Sequence, residues 1–286
     1  MTIDIQTFFD KETSSFTHII IDKMTKLTAI IDPVLNYDQY SGKISTKSAD
    51  EIIKFITSNE LIVEWILETH IHADHLTASS YLKKELGGKI GIGSKIKDVL
   101  SFWVPLFNTL DDTPLDGSQF DYLFEDNQII ELGNNLITVI HTPGHTPACS
   151  SYIINDVVFV GDTIFMTDVG TARTDFPGGS ADILFDSIKK ILSLPASTKI
   201  YLCHDYPTEG RDLVSITSVS EQKSKNILIH DGITKQEYIK IRNARDQGKP
   251  VPKLLLPAIQ VNLRAGLFGK TEKNNKQFIK IPINTI

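Results

Sequence analysis

Residues 61–75, LIVEWILETHIHADH, decide the fold. The first nine are mostly apolar and rich in β-branched and aromatic side chains, which predicts a buried strand. His70 follows directly at the carboxyl end of this strand. Because side chains alternate along an extended segment, His70 and His72 are expected on the same side, and the following turn brings Asp74 and His75 toward it. Imidazole and carboxylate groups gathered in this way are typical of a metal site.

Three later segments supply further candidate ligands. His145 lies in the segment PGHT, Asp162 directly follows Gly161, and His204 lies in the segment CHD, each at or near the end of a predicted strand. α/β sheets place their sites at the carboxyl ends of strands. Mixed nitrogen and oxygen ligands suit first-row divalent metals. The sequence therefore predicts a metalloenzyme whose site is built from His70, His72, Asp74, His75, His145, Asp162 and His204.

Composition sets limits on the class of protein. The chain has 286 residues, is 41% hydrophobic and carries a formal net charge of −6. This length allows one sizeable core, and the acidic balance argues against a nucleic-acid binder, which would need a basic face. We find neither an apolar run long enough to span a bilayer nor a signal peptide. Two cysteines are too few for a disulfide framework, so a cytoplasmic, reducing setting is expected. The sequence leaves open whether the protein forms a homo-oligomer.

The first half of the chain alternates strand and helix. Strands are predicted at FTHIIID (16–22), KLTAIID (26–32) and KIGIG (89–93), and a helix at HLTASSYLKKELGG (75–88). Another helix is expected to begin near Ser48, where Ser48 and Glu51 have the spacing of a capping box. Residues 101–127 are predicted to be a long irregular stretch, either a functional loop or a packing flap.

The second half continues the α/β pattern before it fades. Strands are predicted at 128–132 and 136–142, a hairpin at 150–162, a helix at 181–194 and a strand at 199–203. A later helix around 234–247 opens with Thr234 and Glu237 in capping-box spacing. We predict a catalytic domain over residues 1–210, followed by a smaller helical and irregular part, residues 211–286, that completes the site.

The motif order H-x-H-x-D-H, PGHT, GD and a late histidine resembles the metallo-β-lactamase superfamily over nearly the whole chain. This resemblance implies a four-layer αββα sandwich in the α/β class, with the site at one edge of two packed sheets and Asp162 able to touch two metal positions. Within the superfamily, the chain is most similar to thiol-processing members, glyoxalase II and the persulfide dioxygenases. The segments favouring the dioxygenases are HADHLTA (72–78), RTDF (173–176), HDY (204–206), DGSQFDYLF (116–124) and VNLRAG (261–266). Ala172 departs from the usual glycine.

The resemblance to the dioxygenases implies a particular cofactor and reaction. One Fe(II) per chain would be bound by His70, His145 and Asp162, and glutathione persulfide, O₂ and water would yield sulfite and glutathione. The other four residues of the set would then be hydrogen-bonding neighbours of this iron. They would instead hold a second metal in the alternative, a glyoxalase II-like thioester hydrolase with Zn(II). All seven ligands of the superfamily are present, so ligand identity alone does not separate the two.

Three residues are candidates for binding the substrate. Arg173 and Arg264 offer guanidinium groups that match the carboxylates of a glutathione-like thiol in geometry and charge. Tyr206 could donate a hydrogen bond to the same molecule. The alternative for each arginine is an ordinary ion pair with a neighbouring acid, such as Asp175.

Overall fold

Two sheets form the centre of the molecule in the computed structural model, which describes residues 3–208 and 210–285. The strands are Ile3–Asp10 (β1), Ser15–Asp22 (β2), Leu27–Ile31 (β3), Val34–Asp38 (β4), Lys43–Ser45 (β5), Ile62–Leu67 (β6), Leu76–Thr77 (β7), Lys89–Gly93 (β8), Tyr122–Phe124 (β9), Gln128–Leu132 (β10), Asn135–His141 (β11), Ser150–Ile154 (β12), Val157–Phe159 (β13), Lys199–Tyr201 (β14) and Ile216–Ser218 (β15). The helices are Lys47–Ser58 (α1), Ser79–Leu86 (α2), Ile96–Phe107 (α3), Ala181–Leu192 (α4), Val219–Lys225 (α5), Lys235–Asp246 (α6) and Leu255–Asn262 (α7).

The sheets pack face to face between two layers of helices. The first has six strands in the order β1-β2-β3-β6-β8-β9, the second six in the order β10-β11-β12-β13-β14-β15, and β5-β4-β7 form a small third sheet. Buried side chains from both large sheets, among them Trp65 and Tyr152, fill the space between them. A second cluster lies between the first sheet and α1, α2, α3 and α7, and a third between the second sheet and α4 to α6. The predicted α/β class and αββα sandwich are confirmed.

Local sequence signals account for most of these elements. The predicted hairpin turn contains Asn155 at φ 53°, a left-handed conformation that asparagine tolerates. The capping box at α6 is present: the Thr234 hydroxyl accepts from the Glu237 amide, and the Glu237 carboxylate accepts from the Thr234 amide. The helix predicted over 75–88 is shorter, because Leu76–Thr77 form β7 before α2, and it ends at Gly87 (φ 80°) as expected.

Two local predictions are wrong. No capping box exists at Ser48, because α1 already begins at Lys47 and the Ser48 hydroxyl donates to Asp10. The stretch 101–127 is not irregular throughout, since it begins inside α3 and contains β9. Val99, Trp103 and related apolar residues have helical spacing, and Pro105 is accommodated in the last turn of α3. In the sequence, Pro105, Pro114 and Gly117 favour an irregular stretch, but a proline in the last turn of α3 does not prevent the helix before it.

Residues after 210 contact the main body at several points. β15 pairs with β14, so it continues the second sheet. In α7, the Asn262 amide donates to the carbonyls of His72 and His75, at 2.8 Å each, and its oxygen accepts from the Thr77 amide at 2.8 Å. The division at residue 210 stays a prediction. No helix within residues 3–208 and 210–285 is long and apolar enough to cross a membrane.

Replacing Asn262 by alanine should lower the free energy of unfolding substantially. Three buried backbone groups would lose their partners, and each unsatisfied group costs about 1–3 kcal/mol. Asn243→Ala, at an exposed position of α6, is the matched control and should change stability by less than about 0.5 kcal/mol. Urea unfolding of both variants measures the difference. Equal stability of the two would show that the Asn262 contacts contribute little.

Candidate metal centre

Two groups of ligand atoms meet where the strands of both large sheets end. His70, His145 and Asp162 form the first group, in which one ligand atom of each residue lies within 4.8 Å of the others. The second group meets the same limit and comprises His72, Asp74, His75 and His204. The structure therefore brings together all the ligands that the sequence predicted.

Asp162 lies between the two groups and faces both. Its Oδ2 is 3.6 Å from His145 Nε2 and 4.0 Å from His70 Nε2, whereas its Oδ1 is 3.4 Å from His204 Nε2. The preceding Gly161 has φ 51°, and a Cβ there would lie 2.5 Å from the Thr69 hydroxyl. Glycine is thus required for the turn that presents the carboxylate.

His70 and His145 are each oriented through Nδ1. The Thr69 hydroxyl lies 3.0 Å from His70 Nδ1, and the Arg173 carbonyl accepts from His145 Nδ1 at 2.7 Å. Gly144, just before His145, has φ 134°, and a Cβ there would lie 2.4 Å from the backbone of Leu184. Both rings consequently present Nε2 toward Asp162, which is how a hydrogen bond at one ring nitrogen selects the other as a ligand.

The second group surrounds Asp74. Its Oδ2 lies 3.3 Å from His204 Nε2 and 3.2 Å from His75 Nδ1. His204 Nδ1 donates to the Ser14 carbonyl at 3.0 Å, and the Ser15 hydroxyl donates to Asp74 at 3.3 Å. Burial alone would raise the pKa of Asp74, but the charges of His204 and His75 hold it well below its ordinary value. Asp74 is therefore an anion at neutral pH.

His72 has a different environment, with carboxylates on one side. Its Nε2 lies 3.1 Å from Asp32 and 3.4 Å from Glu68, both buried. Burial by itself lowers the pKa of His72, but Asp32 raises it well above the usual range. Its ring centroid is 4.0 Å from that of His70 and 4.2 Å from that of His75, so His72 belongs to the cluster.

Several buried atoms of the cluster lack hydrogen-bond partners. Nearly all buried polar atoms in proteins have such a partner, so a convergence of unpaired ones indicates a bound ion. Burial, followed by the charge of His72, holds the pKa of His70 well below its ordinary value, which leaves its Nε2 lone pair free at neutral pH. Imidazole and carboxylate suit iron and zinc alike. The unpaired atoms are His70 Nε2, His72 Nδ1, His75 Nε2, His204 Nε2 and Asp162 Oδ1.

A cavity of about 300 Å³, here called the metal cavity, opens onto both groups. Asp74, His145 and Asp162 contribute to its wall beside apolar side chains such as Phe165 and Phe176. Four basic residues also line it; Arg173 and Arg242 are paired with Asp175 and Asp246, so the other two suit an anionic ligand best. The basic residues that line it are Arg173, Arg242, Arg245 and Lys249.

Two of the three residues predicted to bind the substrate line the metal cavity, and the third does not. Arg173 and Tyr206 line the metal cavity. Arg173 also makes the alternative ion pair with Asp175, through two contacts of 2.6 Å. Tyr206 stacks on the His204 ring, and burial raises its pKa, so its hydroxyl stays a donor at neutral pH. Arg264 does not line this cavity: it is 7% exposed and donates to Asp112 at 2.8 Å.

Sequence reasoning missed the basic residues of α6 and the segment after it. Arg242 and Arg245 are three positions apart within α6, and Lys249 follows four positions later, beyond the end of that helix. This signal lay within and just beyond the helix that the sequence predicted. Thr69 donates hydrogen bonds to Asp32 and thereby helps to hold the site together. The sequence contained no comparable signal for this contact, because the two residues are distant in sequence and follow different strands.

Comparisons with known proteins agree with this geometry. Residues 25–204 match the profile of the metallo-beta-lactamase superfamily, and the chain belongs to this superfamily. It is 51% identical over 282 residues to "Glyoxylase B2" of Dictyostelium discoideum, covering 98% of this chain and 97% of that one. It is 28% identical over 266 residues to "Persulfide dioxygenase ETHE1, mitochondrial" of Homo sapiens, covering 92% and 89%. The crystal structure of ETHE1 from Myxococcus xanthus superimposes with a TM-score of 0.73 at 28% identity, covering 92% of this chain and 100% of that one. The predicted family resemblance is confirmed.

Metal content should depend on the two groups unequally. If one metal occupies the first group, His145→Ala should lose most of it, whereas His204→Ala should keep most of it. His141→Ala is the control, because its Nε2 donates to the Phe124 carbonyl outside the cluster. Elemental analysis of protein purified without oxygen gives the metal per chain. Equal loss in the His145 and His204 variants would contradict a single metal in the first group.

Proposed function

We propose that this protein is a persulfide dioxygenase, converting glutathione persulfide, O₂ and water into sulfite and glutathione. The observation that carries the proposal is the first group, His70, His145 and Asp162, which offers two imidazoles and one carboxylate beside a basic cavity. This ligand set is typical of non-heme iron oxygenases. The similarity to persulfide dioxygenases across 92% of the chain supports the same activity.

The cofactor in this proposal is one Fe(II) per chain, held by His70, His145 and Asp162. Bound by these three residues, Fe(II) would supply the redox chemistry that zinc lacks, with the substrate sulfur and O₂ as reactants. His72, Asp74, His75 and His204 surround this position as charged and hydrogen-bonding neighbours. Among them, His204 helps to orient Asp162, because its Nε2 lies 3.4 Å from Asp162 Oδ1.

The metal cavity binds the thiol substrate in an orientation set by its walls. Lys249 and Arg245 attract the carboxylates of glutathione, and the Tyr206 hydroxyl donates to the same molecule. Phe165 and Phe176 flank the ligands, with ring centroids 6.1 Å from His204 and 5.1 Å from His145, and restrict water near the sulfur. Arg173 is already paired with Asp175. Its main contribution is therefore the carbonyl that orients His145, and Arg264 is not among the proposed substrate residues.

A separate observation supports a second candidate function. The second group is complete, and Asp162 faces both groups with different oxygens. Two metals could be held in this way, as in a glyoxalase II-like hydrolase that activates water to cleave a glutathione thioester. The relative named "Glyoxylase B2" is consistent with this alternative.

Oxygen uptake separates the two functions. The iron-loaded protein should consume O₂ and release sulfite when given glutathione persulfide, and should cleave an S-acyl glutathione slowly with or without air. An oxygen electrode and a sulfite assay measure the first activity, and thioester absorbance measures the second. The zinc-loaded protein is the control and should consume no O₂, because zinc has no accessible redox couple. Rapid, air-independent thioester cleavage without oxygen uptake by the iron form would favour the hydrolase.

Replacing the basic residues should weaken substrate binding without slowing turnover. We expect Arg245→Ala and Lys249→Ala each to raise KM for glutathione persulfide by roughly fivefold, or about 1 kcal/mol, as for a partly exposed charge-assisted contact. kcat should stay the same, because the contact is present equally in the ground and transition states. Lys240→Ala, at an exposed position of α6, the helix that carries Arg245, is the matched control. A double variant with unchanged KM would exclude both residues from the substrate site.

A further inference from the structure

Glu68 is a buried acidic residue that the proposed reaction does not use. It follows β6 and is 2% exposed. Both large sheets fix its backbone, because its amide donates to the Gly91 carbonyl at 3.0 Å and its carbonyl accepts from the Tyr152 hydroxyl at 2.7 Å. Burying a carboxylate is costly unless hydrogen bonds or a nearby cation compensate it. The contacts of this side chain should therefore explain why it is there.

Two hydroxyl groups donate to one oxygen of Glu68. The Thr77 and Ser79 hydroxyls both donate to Oε1, and the Ser79 amide donates to the Thr77 hydroxyl at 3.1 Å. All three side chains are buried. Glu68 precedes the motif of residues 70–75, whereas Thr77 and Ser79 follow it, in β7 and at the start of α2. The carboxylate thus joins the two ends of the loop that carries four of the seven candidate ligands.

The other oxygen of Glu68 faces a residue of this loop. Oε2 lies 3.4 Å from His72 Nε2 and has no hydrogen-bond partner within residues 3–208 and 210–285. His72 Nε2 also lies 3.1 Å from Asp32, so two carboxylates contact the same ring nitrogen. Engaging one nitrogen of an imidazole selects the other as a ligand. Glu68 therefore helps to decide which nitrogen His72 offers to a metal.

The loop needs such contacts because its backbone is irregular. Residues 68–75 belong to no helix or strand, so no ladder of backbone hydrogen bonds fixes them. A metal-binding set has to be held within about 0.5 Å of its productive geometry. Asp32 holds the loop at Thr69, and Asn262 holds it from α7. Glu68 adds the contact that joins its two ends.

We propose that Glu68 is a positioning residue of the metal centre. Its carboxylate sets the spacing of the candidate ligands in residues 70–75, because one oxygen joins the ends of the loop and the other contacts His72. Groups that orient metal ligands in this way typically contribute about 10- to 100-fold in metal affinity. The inference goes beyond the proposed function, since it applies equally to one iron and to two zinc ions.

Zinc binding tests this role without depending on catalysis. Thr77→Val removes one hydroxyl with little change in shape and should lower the Zn(II) affinity of the metal-free protein by roughly tenfold. Competition with a chelator measures this affinity. Thr77→Ser restores the hydroxyl and should bring back the wild-type affinity. Thr28→Val is the matched control at a buried position of β3, where the hydroxyl donates to the Lys26 carbonyl at 3.2 Å, and it should leave zinc binding unchanged.

A cobalt spectrum separates an effect on ligand position from a loss of stability. At saturating Co(II), Thr77→Val and Ser79→Ala should shift the visible absorption of the bound ion, because its ligands lie in altered positions. Thr28→Val should keep the wild-type spectrum, and urea unfolding of the metal-free variants measures their stability separately. If Thr77→Val and Ser79→Ala both keep the wild-type zinc affinity and cobalt spectrum, the proposed role of Glu68 is wrong, whatever their stability.

A double-mutant cycle assigns the effect to the carboxylate. In a Glu68→Ala background, Thr77→Val should cause no further loss of zinc affinity, because the partner of the hydroxyl is already absent. Equal losses in the two backgrounds would show that the hydroxyl acts through another group and would overturn the inference. The single variants at Thr77 and Ser79 decide the question if Glu68→Ala does not fold.

The failure of the proposed function gives a different result. A wild-type protein that consumes no O₂ with glutathione persulfide would overturn the dioxygenase assignment and leave the metal-binding measurements unaffected. Normal oxygen uptake by the wild type, combined with wild-type zinc affinity and cobalt spectra in the Thr77→Val and Ser79→Ala variants, would overturn only the inference about Glu68.

Discussion

The metal centre depends on the buried carboxylate of Asp32, which follows β3. It accepts from the Thr69 amide and hydroxyl, at 2.7 Å each, and lies 3.1 Å from His72 Nε2. Burial raises the pKa of this carboxyl, but His72 and these hydrogen bonds outweigh that effect and lower it. A single anion thereby fixes Thr69, which contacts His70, and also fixes His72. The two histidines that open the metal motif are held in place by a residue from the neighbouring strand.

The sequence was most informative where the signal was local. The ligands of residues 70–75 follow one buried strand, so their convergence could be predicted from alternation and from the turn that follows it. The contacts of Asn262 with the carbonyls of His72 and His75 could not, because they join segments separated by more than 180 residues. α3 was not predicted, because its apolar periodicity runs into Pro105 in its last turn and is followed by an irregular stretch. The part of the site that the sequence did not predict is built from contacts between residues that are distant in the chain.

Asp162 is the residue that joins the two groups of candidate ligands. One of its oxygens faces His145 and the other faces His204, so the same side chain suits one metal or two. The residues that touch the metal therefore constrain the reaction less than the surroundings do. Phe176, whose ring centroid lies 5.1 Å from that of His145, and the basic residues of the metal cavity are the surroundings that adjoin these ligands.

The buried pair of Arg242 and Asp246 has a consequence for how this enzyme family can diversify. Arg242 donates to the Thr171 carbonyl at 2.9 Å, and Asp246 accepts from the Thr174 amide at 2.8 Å. These two contacts bracket Arg173, whose carbonyl orients His145. The helix that presents Arg245 to the cavity thus also supports the position of His145. A descendant that exchanged this helix to recognise another ligand would have to re-align His145 at the same time, so new specificities should arise more readily from single side chains than from transplanted segments.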